Sequence, residues 1–232
     1  CGGGAPGCGG AGHRMKRVIV PVDLGGSPTA CAMRAPRRCA DLADKVSALI
    51  ECYREEREGD WWEVGFYHGG LPTRLQLEAC GALPSRLSCS PADLARGDAA
   101  WLWEAGLRTI ELEVLTLKAR VLRHLRRGYS PGRVRSMVEA LKSMGFTIGL
   151  VLSPGLPAFR VEDCGYDIGE VVALGAGVVD FVRINPALAM EGSDSAGWVE
   201  AGRWVPLEVR EAVGLCRQYV DAMDAAGIAV AR

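Results

Sequence analysis

Polar side chains that can do chemistry stand at the ends of several apolar, strand-like runs of this sequence. These side chains are Asp23, His68, Ser88, Glu113 and Arg183. A histidine can transfer protons or bind a metal near neutral pH, and a carboxylate can act as an acid or a ligand. An arginine can hold a carboxylate or a phosphate through paired hydrogen bonds, or form an ion pair inside a barrel with a residue such as Glu113. If the runs are parallel strands, all five side chains meet at one edge of the sheet.

Gly69 and Gly70 directly follow the second of these runs. Because glycine has no side chain, such a pair lets backbone N–H groups come close to a ligand. The same pair is also typical of a plain turn between a strand and a helix. Both interpretations stay open at this point. So does a second interpretation of His68, as a loop histidine that is hydrogen-bonded to the backbone.

Cysteine is frequent in the chain, with nine residues, but no two of them form a Cys-x-x-Cys pair. An odd number of scattered cysteines favours reduced thiols over a disulfide framework. Cys31 lies after the first apolar run, where it can act as a lone metal ligand or remain a free thiol. Cys1 and Cys8, in a glycine-rich N-terminal segment, could supply further thiolates.

The composition indicates a globular protein that can bury a sizeable core. The chain has 232 residues, of which 49% are hydrophobic and 24% are charged, and its formal net charge is −1. This balance argues against binding nucleic acid or an anionic membrane over the whole surface. No run of about 18 or more apolar residues is present, so we expect no membrane-spanning helix. Since no secretory signal is recognisable, we predict a cytoplasmic protein.

Strand-like apolar runs alternate with amphipathic helices along the sequence. The predicted strands are 17–22, 63–68, 86–90, 109–115, 147–152, 180–184 and 228–231. Long apolar runs are typical of parallel strands that are covered on both faces. One helix near the C-terminus carries an apolar stripe at helical spacing. The stripe consists of Val209, Val213, Cys216, Val220 and Met223. The pattern predicts an α/β fold, and favours a partial (β/α) barrel over a doubly wound sheet.

The segment 118–142 is strongly basic, with Glu139 as its only carboxylate. Its lysines and arginines are Lys118, Arg120, Arg123, Arg126, Arg127, Arg133, Arg135 and Lys142. Such a segment can follow the phosphates of an RNA backbone. It is also typical of a solvated helix face, and Tyr129 offers little aromatic surface for base stacking.

Several ordered segments resemble one branch of the radical S-adenosylmethionine (SAM) superfamily. The segments 26–34, 63–70, 86–91 and 111–116 resemble GCPxxCxxC, EVGFYGG, RISTRP and ELGVQS. The segments 127–130, 152–157 and 180–186 resemble RGHT, LMPGLPG and DxVRIYP. This branch contains the catalytic subunit of Elongator, the tRNA wobble-uridine modifying complex, and its short bacterial relatives. The resemblance runs from about Arg17 to the end of the chain.

The resemblance implies a partial (β/α)6 barrel of parallel strands in sequential order, with the active site at the C-terminal ends of the strands. It implies SAM and a [4Fe–4S] cluster as cofactors, and tRNA or a small molecule as substrate. Gly69, Gly70, Ser88 and Arg183 are then the cofactor-binding candidates. We divide the chain into a glycine-rich arm, 1–16, and a barrel, 17–232, which we expect to be truncated at its C-terminus.

The departures from the family pattern concentrate where the cofactors bind. Ser27, Cys31 and Arg34 stand at the positions of the three cluster cysteines. One thiolate cannot hold such a cluster, and an arginine offers no lone pair to iron. Leu115 replaces the glutamine of the fourth motif. We therefore predict a barrel of radical SAM lineage in which cluster chemistry is impaired.

Two other functions stay open. The chain could be a non-catalytic module that binds RNA or a protein through its basic face. It could also be an enzyme of another class, either metal-dependent or cofactor-free. That enzyme would use Asp23, His68, Glu113 and Arg183 at the mouth of the barrel.

Overall fold

The computed structural model describes residues 17–23, 48, 51, 61–67, 70–95, 97–190 and 194–231. Within these residues, seven parallel strands form one sheet, and each strand pairs with the next one along the chain. The strands are β1 (Arg17–Asp23), β2 (Trp61–Tyr67), β3 (Ser85–Cys89), β4 (Leu107–Leu115), β5 (Thr147–Leu152), β6 (Phe181–Ile184) and β7 (Ala229–Val230). The predicted α/β fold with parallel strands in sequential order is confirmed.

Helices follow the strands in the described part of the chain. They are α1 (Arg74–Glu78), α2 (Asp98–Glu104), α3 (Ala119–His124), α4 (Pro131–Ser143), α5 (Val161–Leu174), α6 (Asp194–Glu200) and α7 (Val209–Ala225). The start of α4 shows why these boundaries are sharp. Ser130 accepts a hydrogen bond from the backbone N–H of Arg133, and Pro131 occupies the first turn, where no N–H is needed.

The two faces of the sheet differ in chemistry. On the face covered by helices, side chains such as Val64, Leu87, Ile110 and Ile148 are fully buried and belong to one apolar core. The alternate residues of the same strands are polar, for example Glu63, Arg86 and Thr109. Since successive side chains of a strand point to opposite faces, these polar residues share the other face.

The sheet curls so that its polar face closes upon itself. The guanidinium of Arg86 on β3 lies 5.4 Å from the ring centroid of Phe181 on β6. In a flat sheet, two strands that are three places apart would be separated by about 14 Å. Gly149 on β5 makes room for this ring, because a Cβ atom there would lie 2.3 Å from Phe181. The polar residues therefore line the interior of a partial barrel, whose mouth is at the C-terminal ends of the strands.

Helix α7 is present as predicted, but only part of the predicted apolar stripe is buried, since Met223 is buried while Cys216 and Val220 are half-buried. Val209 and Val213 are 79% and 62% exposed, whereas Leu215, Tyr219 and Met223 are buried. Compared with the predicted orientation, the helix buries the face that carries Tyr219, whose hydroxyl donates to Asp167 of α5. Spacing alone could not distinguish the two stripes, because both contain apolar residues at helical intervals.

None of the helices in the described ranges is long and apolar enough to cross a membrane. The glycine-rich arm 1–16 lies outside the described residues. The division of the chain into arm and barrel stays a prediction, as does the cytoplasmic location.

Candidate functional site

Arg86 lies at the centre of the barrel interior and binds two carboxylates. Its Nε donates to Glu63 Oε2 at 2.7 Å, and its Nη1 donates to Glu111 Oε1. Glu63 also accepts from Thr109 Oγ1 at 2.9 Å. Burial alone would lower the pKa of Arg86, but attraction to Glu111 and Glu63 outweighs it and raises the pKa. The guanidinium therefore stays charged although only 2% of its residue surface is exposed.

Arg183 on β6 lies nearer the mouth and joins this group from the opposite side. Its Nη2 donates to Glu111 Oε1 at 3.1 Å. An ion pair inside the barrel, one of the two interpretations of Arg183, is thus present, and its partner is Glu111, whereas Glu113 was named as an example of such a partner. The Nε atom of Arg183 is buried and has no hydrogen-bond acceptor among the described residues. A buried donor without a partner is rare in folded proteins and is a point where a ligand oxygen can bind.

Glu113 and Ser88 form the next level of the interior towards the mouth. Ser88 Oγ donates to Glu113 Oε1 at 3.2 Å. Ser88 is buried and Glu113 is half-buried. In the described ranges, no lysine, arginine or histidine forms an ion pair with Glu113. This carboxylate therefore has the Ser88 hydroxyl as its partner and, among the residues that the structure describes, no ion pair.

The other predicted site residues are described only in part. Asp23 ends β1, where its backbone is in register with Tyr67 of β2. Gly70 has a φ of 70°, and open space surrounds the position of an added Cβ. The remaining candidates lie outside the described residues: Ser27, Cys31, Arg34, His68, Gly69, Cys1 and Cys8. Within the described part of the chain, no group of three or more His, Cys, Asp or Glu side chains could hold a metal.

Strand β4 ends in a strained turn at the mouth. Leu115 has a φ of 63°, in a left-handed region that costs a residue with a side chain about 1–2 kcal/mol. The N–H of Thr116 donates to Val114 O at 2.7 Å across this residue, as in a γ-turn. Strained backbone of this kind clusters at functional sites.

Asp167 on α5 holds the backbone that follows this turn. Its Oδ1 accepts from Thr116 Oγ1 at 3.0 Å and from the N–H of Leu117 at 2.8 Å. Its Oδ2 accepts from the hydroxyl of Tyr219 on α7 at 3.3 Å. Burial raises the pKa of Asp167 to about 6, although the three hydrogen bonds act in the opposite direction. Asp167 thus ties the rim of the barrel to two helices.

The basic segment 118–142 starts directly after the backbone that Asp167 holds, and its second half forms most of α4. Tyr129 contacts the end of β4, where its hydroxyl donates to the carbonyl oxygens of Glu113 and Val114. Arg127 is half-buried, and its Nε has no acceptor among the residues that are described. Four other cations form ion pairs with carboxylates: Lys118, Arg120, Arg135 and Lys142. Arg123, Arg126 and Arg133 are exposed.

Arg86, Glu63 and Glu111 were not predicted as site residues. They carried a usable signal, because charged residues alternate with apolar ones in three adjacent strands. A continuous apolar character was assigned to these strands instead. A barrel interior that is lined with charge needs this alternation.

Comparison with solved structures assigns this fold to a class. No family model matches the chain. Archaeal Methanocaldococcus infernus Elp3, with an N-terminal deletion, is 17% identical, with a TM-score of 0.73 over 92% of this chain and 56% of that chain. Coproporphyrinogen III oxidase (HemN) from Escherichia coli, a radical SAM enzyme, is 11% identical, with a TM-score of 0.62 over 92% of this chain and 53% of that chain. The fold is thus the partial barrel of radical SAM enzymes.

A more particular similarity comes from a curated protein. The tRNA uridine(34) acetyltransferase of Methanocaldococcus infernus is 26% identical over 108 residues, which are 47% of this chain and 20% of that protein. The match therefore spans a small part of that relative, and the chain covers about half of the Elp3 structure. These findings confirm the predicted resemblance to the radical SAM superfamily and support its Elongator-like branch.

The raised pKa of Asp167 predicts a specific pH dependence of stability. The ordinary pKa of 3.8 rises to about 6 on folding, so the folded state binds the proton more tightly than the unfolded state. Between these values, stability falls as the pH rises, by up to about 3 kcal/mol. Asp167→Asn removes this titration. In urea unfolding, the free energy of unfolding of the variant, relative to that of the parent, should therefore increase between about pH 4 and pH 7.

The control is Asp224→Asn, which makes the same substitution at an exposed position of α7. Parallel stability curves for Asp167→Asn and the parent would show that the buried carboxylate does not titrate in this range.

Proposed function

We propose that this chain is a radical-SAM-type barrel of a tRNA-modifying lineage that binds a SAM-like ligand at its mouth. We further propose that it does not assemble a [4Fe–4S] cluster through the loop after β1. The observation that carries the proposal is the contrast between the two parts of the site. Inside the barrel, Arg86 is paired with both Glu63 and Glu111. In the loop after β1, Ser27 and Arg34 stand at two of the three positions where the resembled motif has cluster cysteines.

The donor set does not fit the cluster. Thiolates bind nearly every iron of such clusters, and Cys31 is the only thiolate at the three positions. A serine hydroxyl is a weak ligand for iron, and a guanidinium offers no lone pair and brings a positive charge. No reaction step through a cluster therefore follows from these residues.

The residues at the mouth fit the amino-acid end of SAM better than the loop after β1 fits a cluster. The buried Nε of Arg183 has no acceptor among the described residues, and the carboxylate of a ligand would supply one. Gly70, with a positive φ and no neighbour at its Cβ position, lets a ligand approach the backbone. Ser88 is at the same end of the barrel, one strand away from the end of β2. When bound, SAM would bring a sulfonium and an amino-acid group to this mouth, and Arg183 would orient the carboxylate.

Iron counting after anaerobic reconstitution with iron and sulfide tests the cluster half of the proposal. We expect far fewer than about four irons per chain to remain after desalting. The matched control is the double variant Ser27→Cys/Arg34→Cys, which restores the three-cysteine motif and should retain about four. A parent that retains the full complement would contradict the proposal. Cys1→Ser/Cys8→Ser would then show whether the N-terminal arm supplies ligands.

Calorimetric titration with S-adenosylhomocysteine tests the ligand half. Arg183→Met should weaken binding by about tenfold or more, as expected when one partner of a buried charge pair is removed. The exposed Arg133 offers the control, and Arg133→Met should bind like the parent. No binding by the parent would contradict the proposed site.

Arg123 and Arg126 support a second proposal, that the protein also binds RNA. Both are exposed, and neither forms an ion pair with another described residue. Arg123→Glu/Arg126→Glu should abolish binding to unmodified tRNA, and the parent's affinity should fall steeply between about 50 and 200 mM salt. The control is Arg210→Glu/Arg217→Glu on α7, whose arginines are also exposed. Equal tRNA affinity of the two double variants would show that Arg123 and Arg126 do not bind RNA specifically and would contradict this second proposal.

A further inference from the structure

Helix α7 has two apolar faces. The first face is buried in the core and consists of Leu215, Tyr219 and Met223. The second face is the α7 seam, which consists of Val209, Val213, Cys216 and Val220. Val209 is 79% exposed and Val213 is 62% exposed, while the other two residues of the seam are half-buried. One apolar face is enough to fix a helix on a sheet, so a second one indicates a contact with a further partner.

The neighbouring helix α5 contacts the opposite flank of α7. The hydroxyl of Tyr219 donates to Asp167 at 3.3 Å, and Cys164 Sγ donates to Gln218 Oε1 at 3.8 Å. Successive residues of a helix are rotated by about 100°, so Gln218 points nearly opposite to the middle of the α7 seam. The seam is therefore on the flank of α7 that faces away from α5.

The spacing of the α7 seam is that of a contact line between two helices. Its residues follow one another after four, three and four positions. This alternation of apolar residues is typical of paired helices, in which each side chain inserts between residues of the facing helix. Two antiparallel copies of α7 would place Val209 opposite Val220 of the second copy, and Val213 opposite its Cys216. Two-fold symmetry would repeat both contacts.

The exposed edge beside the α7 seam carries opposite charges in its two halves. Arg210 and Arg217 come first, and Asp221 and Asp224 follow. Arg217 Nε lies 3.8 Å from Asp221 Oδ2 in the same helix, but both side chains remain largely exposed, at 82% and 69%. In an antiparallel pair of α7 helices, the arginines of each copy face the aspartates of the other. A parallel pair would bring like charges together, so the order of charges favours the antiparallel arrangement.

We propose that two copies of this chain form a two-fold symmetric dimer through the α7 seam, with their α7 helices antiparallel. The inference goes beyond the proposed function, because it concerns the outer surface of the barrel and needs no ligand. A contact made mainly by one helix is small compared with the about 800 Å² per partner of a standard interface. We therefore expect a reversible dimer, whose population rises with protein concentration.

Sedimentation equilibrium of the full chain at increasing protein concentration tests this dimer. The apparent mass should rise from 24.8 kDa towards twice this value. Val213→Asp places a charge in the α7 seam and should weaken association by about tenfold or more. The control is Val172→Asp, which makes the same substitution at a partly exposed position of α5 and should associate like the parent. A parent that stays at 24.8 kDa at every concentration would overturn the inference, as would equal association of Val213→Asp and the parent.

A charge exchange tests the antiparallel arrangement. Asp221→Arg/Asp224→Arg brings cations opposite the arginines of the second copy and should weaken association. Adding Arg210→Glu/Arg217→Glu to this variant restores opposite charges across the pair, so association should return towards that of the parent. Both sets of positions are exposed, so neither change removes a buried contact. Association that remains weak in the fourfold variant would contradict the antiparallel pairing of two copies.

Discussion

The barrel interior is organised by the guanidinium of Arg86, which two buried glutamates hold between adjacent strands. A charge in this position must be fully compensated, because an unpaired buried ion costs several kcal/mol. Glu63, Arg86 and Glu111 come from β2, β3 and β4, so their pairing fixes the register and the inward direction of three strands. The curl of the sheet then brings β6 close enough for Arg183 to reach the same carboxylate.

The barrel interior has a deeper part around Arg86 and Phe181 and a part nearer the mouth around Glu113 and Ser88. Deeper in the interior, the ring of Phe181 packs against Gly149 and lies close to the guanidinium of Arg86. Towards the mouth, Glu113 is hydrogen-bonded to Ser88, and β4 ends in the strained turn at Leu115, which is followed by the backbone that Asp167 holds. The hydrogen bonds that link Arg86, Glu111 and Arg183 in the described part of the chain connect guanidinium and carboxylate groups, and none of them involves a cysteine.

The sequence predicted the strands and their order well, but it predicted the interior poorly. The run 147–152 is the strand β5 as observed, since a buried parallel strand is apolar throughout and ends at turn residues. For Arg183, the sequence left open whether it binds a ligand anion or pairs with a glutamate of the barrel. Its observed contact with Glu111 joins β6 to β4, and a local pattern does not encode such a contact. Val209 and Val213 were placed on the buried stripe of their helix. The buried face instead carries Leu215, Tyr219 and Met223, and the contact of Tyr219 with Asp167 is tertiary, so spacing along the helix does not predict it.

The central claim is that Arg86 holds the barrel interior together through its two ion pairs, and the free energy of unfolding of Arg86→Met in urea tests it directly. Removing the guanidinium leaves Glu63 and Glu111 buried without their shared cation. We therefore expect the variant to be less stable than the parent by about 3–5 kcal/mol, and Glu63→Gln to recover part of this loss in the double variant. A change within about 0.5 kcal/mol, as for an ordinary surface substitution, would contradict the account.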